Sequence, residues 1–401
     1  MEFKLAKKCV VSLEKAPGAH MQNAFQRPSA LEALTHSHSI THALTHSLTQ
    51  AGHYVYDVDI NADGSCTYCS LSNHTIGTYD STNFTSCGVR TGHRDKINVI
   101  EASVVNPSIL YSGSSDKSVF IWDNRIGTSN AMSIRCVDEV LGLSVSMNDS
   151  LLALGIGTSV QFYDIRFLGS TGSTKLGEYN DAHTDIITQI KFNRANPSIL
   201  GTAAEDGLIC FYDTKVSEDE EAIQTILNTE CPIRRFGYFG SAMEGVYCLN
   251  SVETFSCWHY PTAIRIGNFP DIREQLAVDY LVDCVYNAST DSLQLLAGNY
   301  DGAVKLIAVA PEILSVIQSS FINGHCASVR CMSANRNNNT IVTGGEDSLL
   351  CQWRYGPATA ASDEMITNDT DNAKRHEDKK SRSHGKTKHA HTTSERLQRP
   401  Y

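Results

Sequence analysis

The chain has 401 residues, 41% of them hydrophobic, so a large apolar core can form. Its formal net charge is −11, but the sign is divided along the sequence. Nine Lys and Arg residues against three acids give residues 374–401 a charge of +6, which leaves −17 on residues 1–373. So acidic a body argues against a DNA-binding surface.

Cysteine is abundant, with 13 residues spread along the chain. The segment 1–11 is charged and lacks the apolar core of a secretory signal. No apolar run approaches the roughly 20 residues of a membrane span. We therefore expect reduced cysteines, no membrane contact, and a cytoplasmic or nuclear protein. Cys66 and Cys69 form a lone C-x-x-C without a second pair or a nearby histidine, so we expect neither a metal nor a cofactor.

The first predicted element is a strand at 9–13, with the sequence CVVSL. A tract rich in Thr, His and Ser follows, and His38, His42 and His46 share one face if it is helical. A low-complexity insert is the favoured interpretation, and a metal site is the alternative. We divide the chain into an N-terminal strand region (1–15), this insert (16–52), a repeat region (53–355) and a tail (356–401).

Internal repeats dominate the region after the insert. Segments 93–125 and 183–215 align without gaps at an offset of 90 residues, and both contain NPSIL. A third copy runs from His325 to Trp353, and weaker copies lie between them. Seven units with a period of about 45 residues predict an all-β, seven-bladed propeller with four strands per blade. The equivalent aromatic-type positions are 79, 122, 163, 212, 259, 307 and 353.

The unit endings resemble those of the WD-repeat family, with IWD at 121–123 and FYD at 162–164 and 211–213. In that family a His, a Ser or Thr, a turn Asp and the Trp form a hydrogen-bonded tetrad within one blade. The resemblance implies structural roles for three such sets: His93, Ser112, Asp116 and Trp122; His183, Thr202, Asp206 and Tyr212; His325, Thr343, Asp347 and Trp353.

The region 9–355 resembles one member of the WD-repeat family more closely than the others. The resemblance is carried by segments 183–213, 270–307, 324–332 and 343–353. This resemblance implies the propeller fold, but it does not imply any particular activity.

The last repeat lacks an outer strand, because the sequence after Trp353 is rich in Ala and polar residues. A blade that is one strand short has an open edge, so we predict that the strand at 9–13 pairs there and closes the ring. Few apolar residues follow position 356, which predicts a disordered tail. Its basic cluster at 374–388 fits a nuclear import signal or an RNA contact, with a solvated tail as the alternative.

We expect no enzyme, since the sequence has no phosphate-binding glycine loop and no nucleophile with a base at motif spacing. Nor do we find repeated His or carboxylate residues at the predicted inner-strand positions. The favoured function is a monomeric scaffold that binds other proteins through its rims.

Two narrower functions remain as alternatives. Some WD-repeat substrate receptors dock onto the adaptor of a cullin-RING ubiquitin ligase through a W-D-x-R ending. Asp123 and Arg125 match that ending after Trp122, and Asp164 and Arg166 repeat it one unit later. The resemblance thus makes these four residues candidates for partner binding. The basic tail suggests instead a nuclear or ribosome-assembly factor.

Overall fold

The fold is a ring of seven sheets, seen in a computed structural model of the protein. The structure describes residues 4–10, 52–127, 130–167, 175–180, 183–288, 290–310, 313–321, 324–335 and 340–354. Within them, twenty-eight strands form seven antiparallel sheets of four strands each. This confirms the predicted all-β, seven-bladed propeller.

Each sheet is one blade, and its strands follow one another from the innermost to the outermost position. The strands are, in blade 1, β2 (Val55–Ile60), β3 (Cys66–Leu71), β4 (Ile76–Asp80) and β5 (Ser86–Arg90); in blade 2, β6 (Ile97–Ala102), β7 (Ile109–Ser114), β8 (Ser118–Asp123) and β9 (Asn130–Arg135); in blade 3, β10 (Val140–Val145), β11 (Leu151–Ile156), β12 (Ser159–Asp164) and β13 (Lys175–Tyr179); in blade 4, β14 (Ile187–Phe192), β15 (Ile199–Ala204), β16 (Leu208–Asp213) and β17 (Ile223–Asn228); in blade 5, β18 (Ile233–Phe239), β19 (Gly245–Asn250), β20 (Phe255–His259) and β21 (Ile264–Phe269); in blade 6, β22 (Tyr280–Asn287), β23 (Ser292–Gly298), β24 (Val304–Ala310) and β25 (Ile313–Phe321); and in blade 7, β26 (Val329–Asn335), β27 (Thr340–Gly345), β28 (Leu349–Arg354) and β1 (Lys4–Val10).

In the described part of the chain, helical structure consists of single turns between strands. The α-helical turns are Asp219–Ala222 and Arg273–Leu276, and the 3₁₀ turns are Asn124–Ile126, Ile165–Phe167 and Tyr260–Thr262. Among the described residues, none of these helices is long and apolar enough to span a membrane.

The seven innermost strands form a closed circle, because each contacts the innermost strand of both neighbouring blades. The antiparallel order then defines two rims. Loops that precede each innermost strand, and loops that join second to third strands, lie at one end, which we call the upper rim. Loops that join first to second and third to fourth strands lie at the other end, the lower rim.

The core lies between blades, not within them. Seven hydrophobic clusters are present among the described residues, and each combines side chains of two adjacent blades. Trp122 packs with Tyr68 and Ile97 between blades 1 and 2, and Trp353 packs with Leu306 between blades 6 and 7. Burial of one such large side chain stabilises a fold by about 1.5–3 kcal/mol. Each blade therefore depends on both neighbours for its stability.

Each hairpin between second and third strands contains one residue in the left-handed conformation. These residues are His74, Lys117, Gly157, Gly207, Glu253, Gly302 and Ser348. At Gly302 a side chain is excluded, because a Cβ atom would lie 2.5 Å from the carbonyl carbon of His325. The positive φ there also favours glycine.

Blade 5 differs from the sequence prediction by one residue. Five residues after its left-handed Glu253 comes Trp258, as Trp122 comes five residues after Lys117. Trp258 is buried, its indole N–H donates to Ser256 Oγ at 2.9 Å, and a register shift precedes it as one precedes Trp122. The prediction of His259 as the aromatic-type position is therefore wrong, because it counted from Glu253 as the turn-Asp position, whereas Glu253 takes the left-handed position that follows it.

An N-terminal strand closes the ring, as predicted. β1 pairs antiparallel with β28 as the outermost strand of blade 7, with Leu5 opposite Trp353 and Val10 opposite Leu349. The strand lies earlier than the predicted 9–13, because an outer strand has one neighbour only and accommodates lysines that a buried strand would exclude. The insert (16–52, apart from its last residue) and the tail (356–401) lie outside the described residues.

Deletion of residues 1–10 tests this closure. Without β1, the ladder partners of β28 from Leu349 to Arg354 are lost and its apolar edge is exposed. We expect a cost of about 2–3 kcal/mol and a Tm lower by about 5 °C in thermal unfolding. Deletion of residues 1–3 alone, which precede the strand, is the control. Equal melting temperatures for both deletions would contradict the closure.

Candidate functional site

In blade 2, a continuous chain of side-chain hydrogen bonds runs from the upper rim into the interior. His93, in the loop before β6, contacts Asp116 Oδ2 through Nδ1 at 2.9 Å and Ser112 Oγ through Nε2 at 2.8 Å. The indole N–H of Trp122 donates to the same Ser112 oxygen at 2.8 Å. Asp116 also accepts the backbone N–H of Arg94 at 2.8 Å, which fixes the loop that carries the histidine.

Blades 7 and 4 repeat this arrangement with one difference. In blade 7, His325 Nε2 lies 2.8 Å from Thr343 Oγ1, which accepts the Trp353 indole N–H at 2.9 Å. In blade 4, His183 contacts Asp206 and Thr202 in the same way. Tyr212 takes the aromatic position there, and its buried hydroxyl makes no hydrogen bond of normal geometry to a described residue, although Thr202 and Cys210 lie near enough to affect its pKa. The structure thus brings together two four-membered sets and one three-membered set.

The connectivity Ser112–His93–Asp116 is that of a hydrolase triad, but its surroundings are not. Ser112 has no exposed surface, and the Trp122 indole occupies the side of Oγ that a substrate would approach. Because Oγ accepts the indole N–H, its own hydrogen goes to His93 Nε2, which leaves the ring proton on Nδ1 beside Asp116. A substrate carbonyl has no access to this serine, so the set holds the blade together.

Substitutions of Ser112 and Tyr212 compare the loss of a hydroxyl that forms hydrogen bonds with the loss of one that forms none of normal geometry. Ser112→Ala removes the partner of both Trp122 Nε1 and His93 Nε2. We expect it to lower the free energy of unfolding by about 2–4 kcal/mol, because both groups stay buried. Tyr212→Phe removes a buried hydroxyl that makes no hydrogen bond of normal geometry, so we expect a change within about 0.5 kcal/mol. Urea denaturation measures both, and similar losses would contradict the assignment.

The buried histidines make stability depend on pH. Burial lowers the pKa of His93 below its usual 6.5, although its hydrogen bond to Asp116 opposes this shift, and burial lowers the pKa of His183 as well. At these two histidines the unfolded chain therefore binds more protons than the folded chain below about pH 6.5. The contribution of these groups is fully present above that pH and is lost as the pH falls through the lowered pKa.

As the pH falls from about 7.5 to about 5, we expect the free energy of unfolding of the unmodified chain to decrease relative to that of His93→Gln. The glutamine side chain does not titrate, so the proton uptake on unfolding is smaller. Urea unfolding at several pH values measures the slopes. Parallel slopes would show that His93 is not held neutral by burial.

The inner strands carry carboxylates that the sequence analysis overlooked. Asp57 Oδ2 accepts the backbone N–H of Ile100 at 3.1 Å, and Glu101 Oε1 accepts that of Val145 at 3.2 Å. Gln189 Oε1 likewise accepts the N–H of Phe236 at 2.7 Å. Each acceptor lies on an innermost strand and each donor on the innermost strand of the next blade. The expectation of no repeated carboxylate there is wrong, and these side chains join neighbouring blades.

Basic side chains oppose these carboxylates around the inner circle. Burial raises the pKa of Glu101 to about 8 and that of Asp57 to about 6. Burial also lowers the pKa of Lys191, whereas Asp57 and Asp283 raise the pKa of Arg235 against its own burial. Asp57, Arg235 and Asp283 belong to blades 1, 5 and 6, so their attraction acts between different blades. The period-based alignment missed these residues because they differ in charge from blade to blade.

The predicted partner-binding residues form two identical local structures on the lower rim. After β8, the Asp123 carboxylate accepts Arg125 Nε at 2.9 Å and Nη2 at 2.6 Å. After β12, Asp164 accepts Arg166 Nε at 3.0 Å and Nη2 at 2.7 Å. Both carboxylates are nearly buried, whereas the arginine side chains are 67% and 61% exposed. Each guanidinium is thus oriented by its aspartate, and more than half of each arginine side chain is exposed.

A third Asp-x-Arg structure lies at the opposite end of the propeller. Asp271 accepts Arg273 Nε at 2.9 Å in the upper-rim loop between blades 5 and 6. This pair has the same bidentate geometry but does not follow a third strand. The bidentate geometry is therefore a local property of the Asp-x-Arg sequence. Arg125 and Arg166 differ from Arg273 in that both follow a third strand at the lower rim.

The residues considered for metal binding divide between described and masked parts of the chain. Within the described residues, no group of three or more His, Cys, Asp or Glu side chains is arranged to hold a metal ion. Cys66 and Cys69 both lie in β3, where Cys69 packs in the core between blades 7 and 1. His38, His42 and His46 lie outside the described residues.

Comparison with known proteins agrees with this geometry. The sequence model of the WD domain, G-beta repeat, matches residues 84–123 and 316–354. The WD repeat-containing protein 89 homolog of Dictyostelium discoideum is 30% identical over 334 residues, which cover 81% of this chain and 89% of that protein. WD repeat-containing protein GTS1 of Arabidopsis thaliana is 28% identical over 329 residues, or 75% of this chain and 81% of that protein.

Seven four-stranded blades, two with a complete His–Ser/Thr–Asp–Trp set and a third with Tyr in place of Trp, define a WD-repeat β-propeller. Members of this class are generally interaction scaffolds and typically not enzymes. The chain belongs to the family of WD repeat-containing protein 89. This confirms the closer resemblance that segments 183–213 and 270–307 carry in the sequence.

Proposed function

We propose that this chain is a non-catalytic scaffold that binds partner proteins through the exposed arginines of its lower rim. The observation that carries the proposal is the matched pair Arg125 and Arg166. They occupy the same position on adjacent blades, each is oriented by a nearly buried aspartate, and each is more than half exposed. Two preorganised guanidinium groups at equivalent positions of adjacent blades suit carboxylates or backbone carbonyls of a partner.

The proposal that the scaffold is non-catalytic is supported by the hydrogen bonds of its reactive side chains. The Ser112–His93–Asp116 set is closed off by Trp122, and Asp57 and Glu101 accept backbone N–H groups of the next blade. A general base or nucleophile must reach a substrate atom, and these groups already have internal partners. Binding therefore falls to the rims, where side chains are exposed.

A narrower version makes the chain a substrate receptor of a cullin-RING ubiquitin ligase. Its support is the Trp122–Asp123–Asn124–Arg125 ending together with the exposed position of Arg125. The adaptor would accept charge-assisted hydrogen bonds from the exposed guanidinium of Arg125, and Arg166 would add positive charge to the same rim.

Affinity capture with mass spectrometry on the tagged full chain tests both versions. We expect Arg125→Ala with Arg166→Ala to lose a cullin-RING adaptor, by about tenfold or more, while the melting temperature stays unchanged, since both side chains are exposed. Arg273→Ala is the matched control, because it removes the same fork from the upper rim. Equal recovery of all partners by the double variant and the control would contradict the lower-rim proposal.

The nuclear or ribosome-assembly alternative rests on the basic cluster at 374–388, which lies outside the described residues. We place the protein in the cytoplasm or the nucleus as part of the same proposal. Nuclear factors or ribosomal precursors recovered with every variant in the capture experiment would favour this alternative. The W-D-x-R match would then be an ordinary repeat ending.

A further inference from the structure

The outer strand of blade 5 has an exposed apolar edge. β21 is the last strand of its sheet, and none of its outward backbone groups has a hydrogen-bond partner among the described residues. Ile264 is 59% exposed and Ile266 is 38% exposed. Of the outer strands whose side chains the structure describes, β13 and β5 present mainly polar residues, and β17 contacts the Tyr260–Thr262 turn.

A cavity of about 310 Å³ opens beside this edge, between blades 5 and 6. Ile266 and Phe269 of β21 line one side, and Tyr286, Leu293 and Val309 of blade 6 line the other. The space exists partly because Gly267 has no side chain; a Cβ atom there would lie 3.1 Å from the Phe269 ring. An apolar cavity of this size accommodates one large side chain.

Asp291 is the one charged residue among those that line the cavity. It lies in the loop between β22 and β23 and accepts the Tyr286 hydroxyl hydrogen at 2.5 Å. Both the residue and the loop are exposed, so the carboxylate marks the rim of the cavity with a negative charge. A Lys or Arg next to a bound apolar side chain would meet this charge.

We propose that β21 and this cavity bind an extended peptide segment of a partner protein as a fifth strand of blade 5. The peptide supplies backbone hydrogen bonds to the β21 edge, one large apolar side chain to the cavity and one Lys or Arg to Asp291. Addition of a strand to an open sheet edge is an established way for peptides to bind, with pockets for alternate side chains giving specificity.

This inference rests on the proposed scaffold function and names the chemistry of one partner. It involves blades 5 and 6, whereas the arginine site involves blades 2 and 3. The two proposals can therefore be tested independently of each other. Loss of the adaptor in the Arg125 experiment leaves peptide binding at β21 in place, and a cavity variant leaves adaptor capture in place.

A displayed library of random twelve-residue peptides, selected against the full chain, is the probe. Ala310→Trp fills the cavity from the exposed end of β24, and Ile266→Asp places a charge at the edge. Ile226→Asp on β17 is the matched control, because it changes an equally accessible isoleucine on another outer strand. Thermal unfolding of each variant checks that the propeller is folded.

We expect selected peptides to combine a large apolar residue with a Lys or Arg and to lose about tenfold or more of their affinity in both cavity variants. Affinity for Ile226→Asp stays unchanged, and bound peptide slows amide exchange at Ile264–Phe269. Peptides that bind Ala310→Trp as tightly as the unmodified chain would overturn the proposal. So would the recovery of no peptide, or a self-association that Ile266→Asp abolishes, which would make a second copy the occupant.

Discussion

Ring closure is the constraint on which the rest of this structure depends. Every hydrophobic cluster described belongs to two blades, so no blade has a core of its own. The circle is complete only if blade 7 packs on blade 1 and has its own fourth strand. That strand comes from the other end of the chain, through the pairing of β1 with β28. Chain ends and blade packing thus form a single cooperative arrangement, as expected when neighbouring units bury one another's faces.

Polar side chains inside the ring serve the same closure. His93 and Asp116 fix an upper-rim loop to the second and third strands of blade 2, and Asp57 and Glu101 join one blade to the next. A buried acceptor without a donor would cost about 1–3 kcal/mol, so each of these bonds constrains which strand lies beside which. The triad-like set in blade 2 is one example, because its hydrogen bonds hold the upper-rim loop against the strands of that blade. Exposed groups such as Arg125 are left for partners.

The sequence predicted the parts of the fold that repeat, because periodicity averages over seven units. It identified the blade number, the three His-containing sets and the need for an N-terminal strand. It failed where one unit departs from the others. In blade 5 the predicted turn position, Glu253, lies one residue too late, so the aromatic position is Trp258 and not 259. The bounds of β1 were missed because the sequence Lys4–Val10 lacks the apolar pattern used to predict strands. The cavity beside Gly267 was invisible, because a missing side chain leaves no signal in a periodic alignment.

The central claim is that internal polar sets hold the propeller and that lower-rim arginines bind partners. Quantitative affinity capture at 4 °C tests it most directly, with Ser112→Ala compared with the Arg125→Ala and Arg166→Ala double variant. The account predicts that Ser112→Ala, though less stable, recovers the same partners in the same amounts. It predicts that the double variant, equally stable as the unmodified chain, loses at least one of them. Loss of partners from Ser112→Ala while it remains fully folded, with none lost from the double variant, would contradict the account.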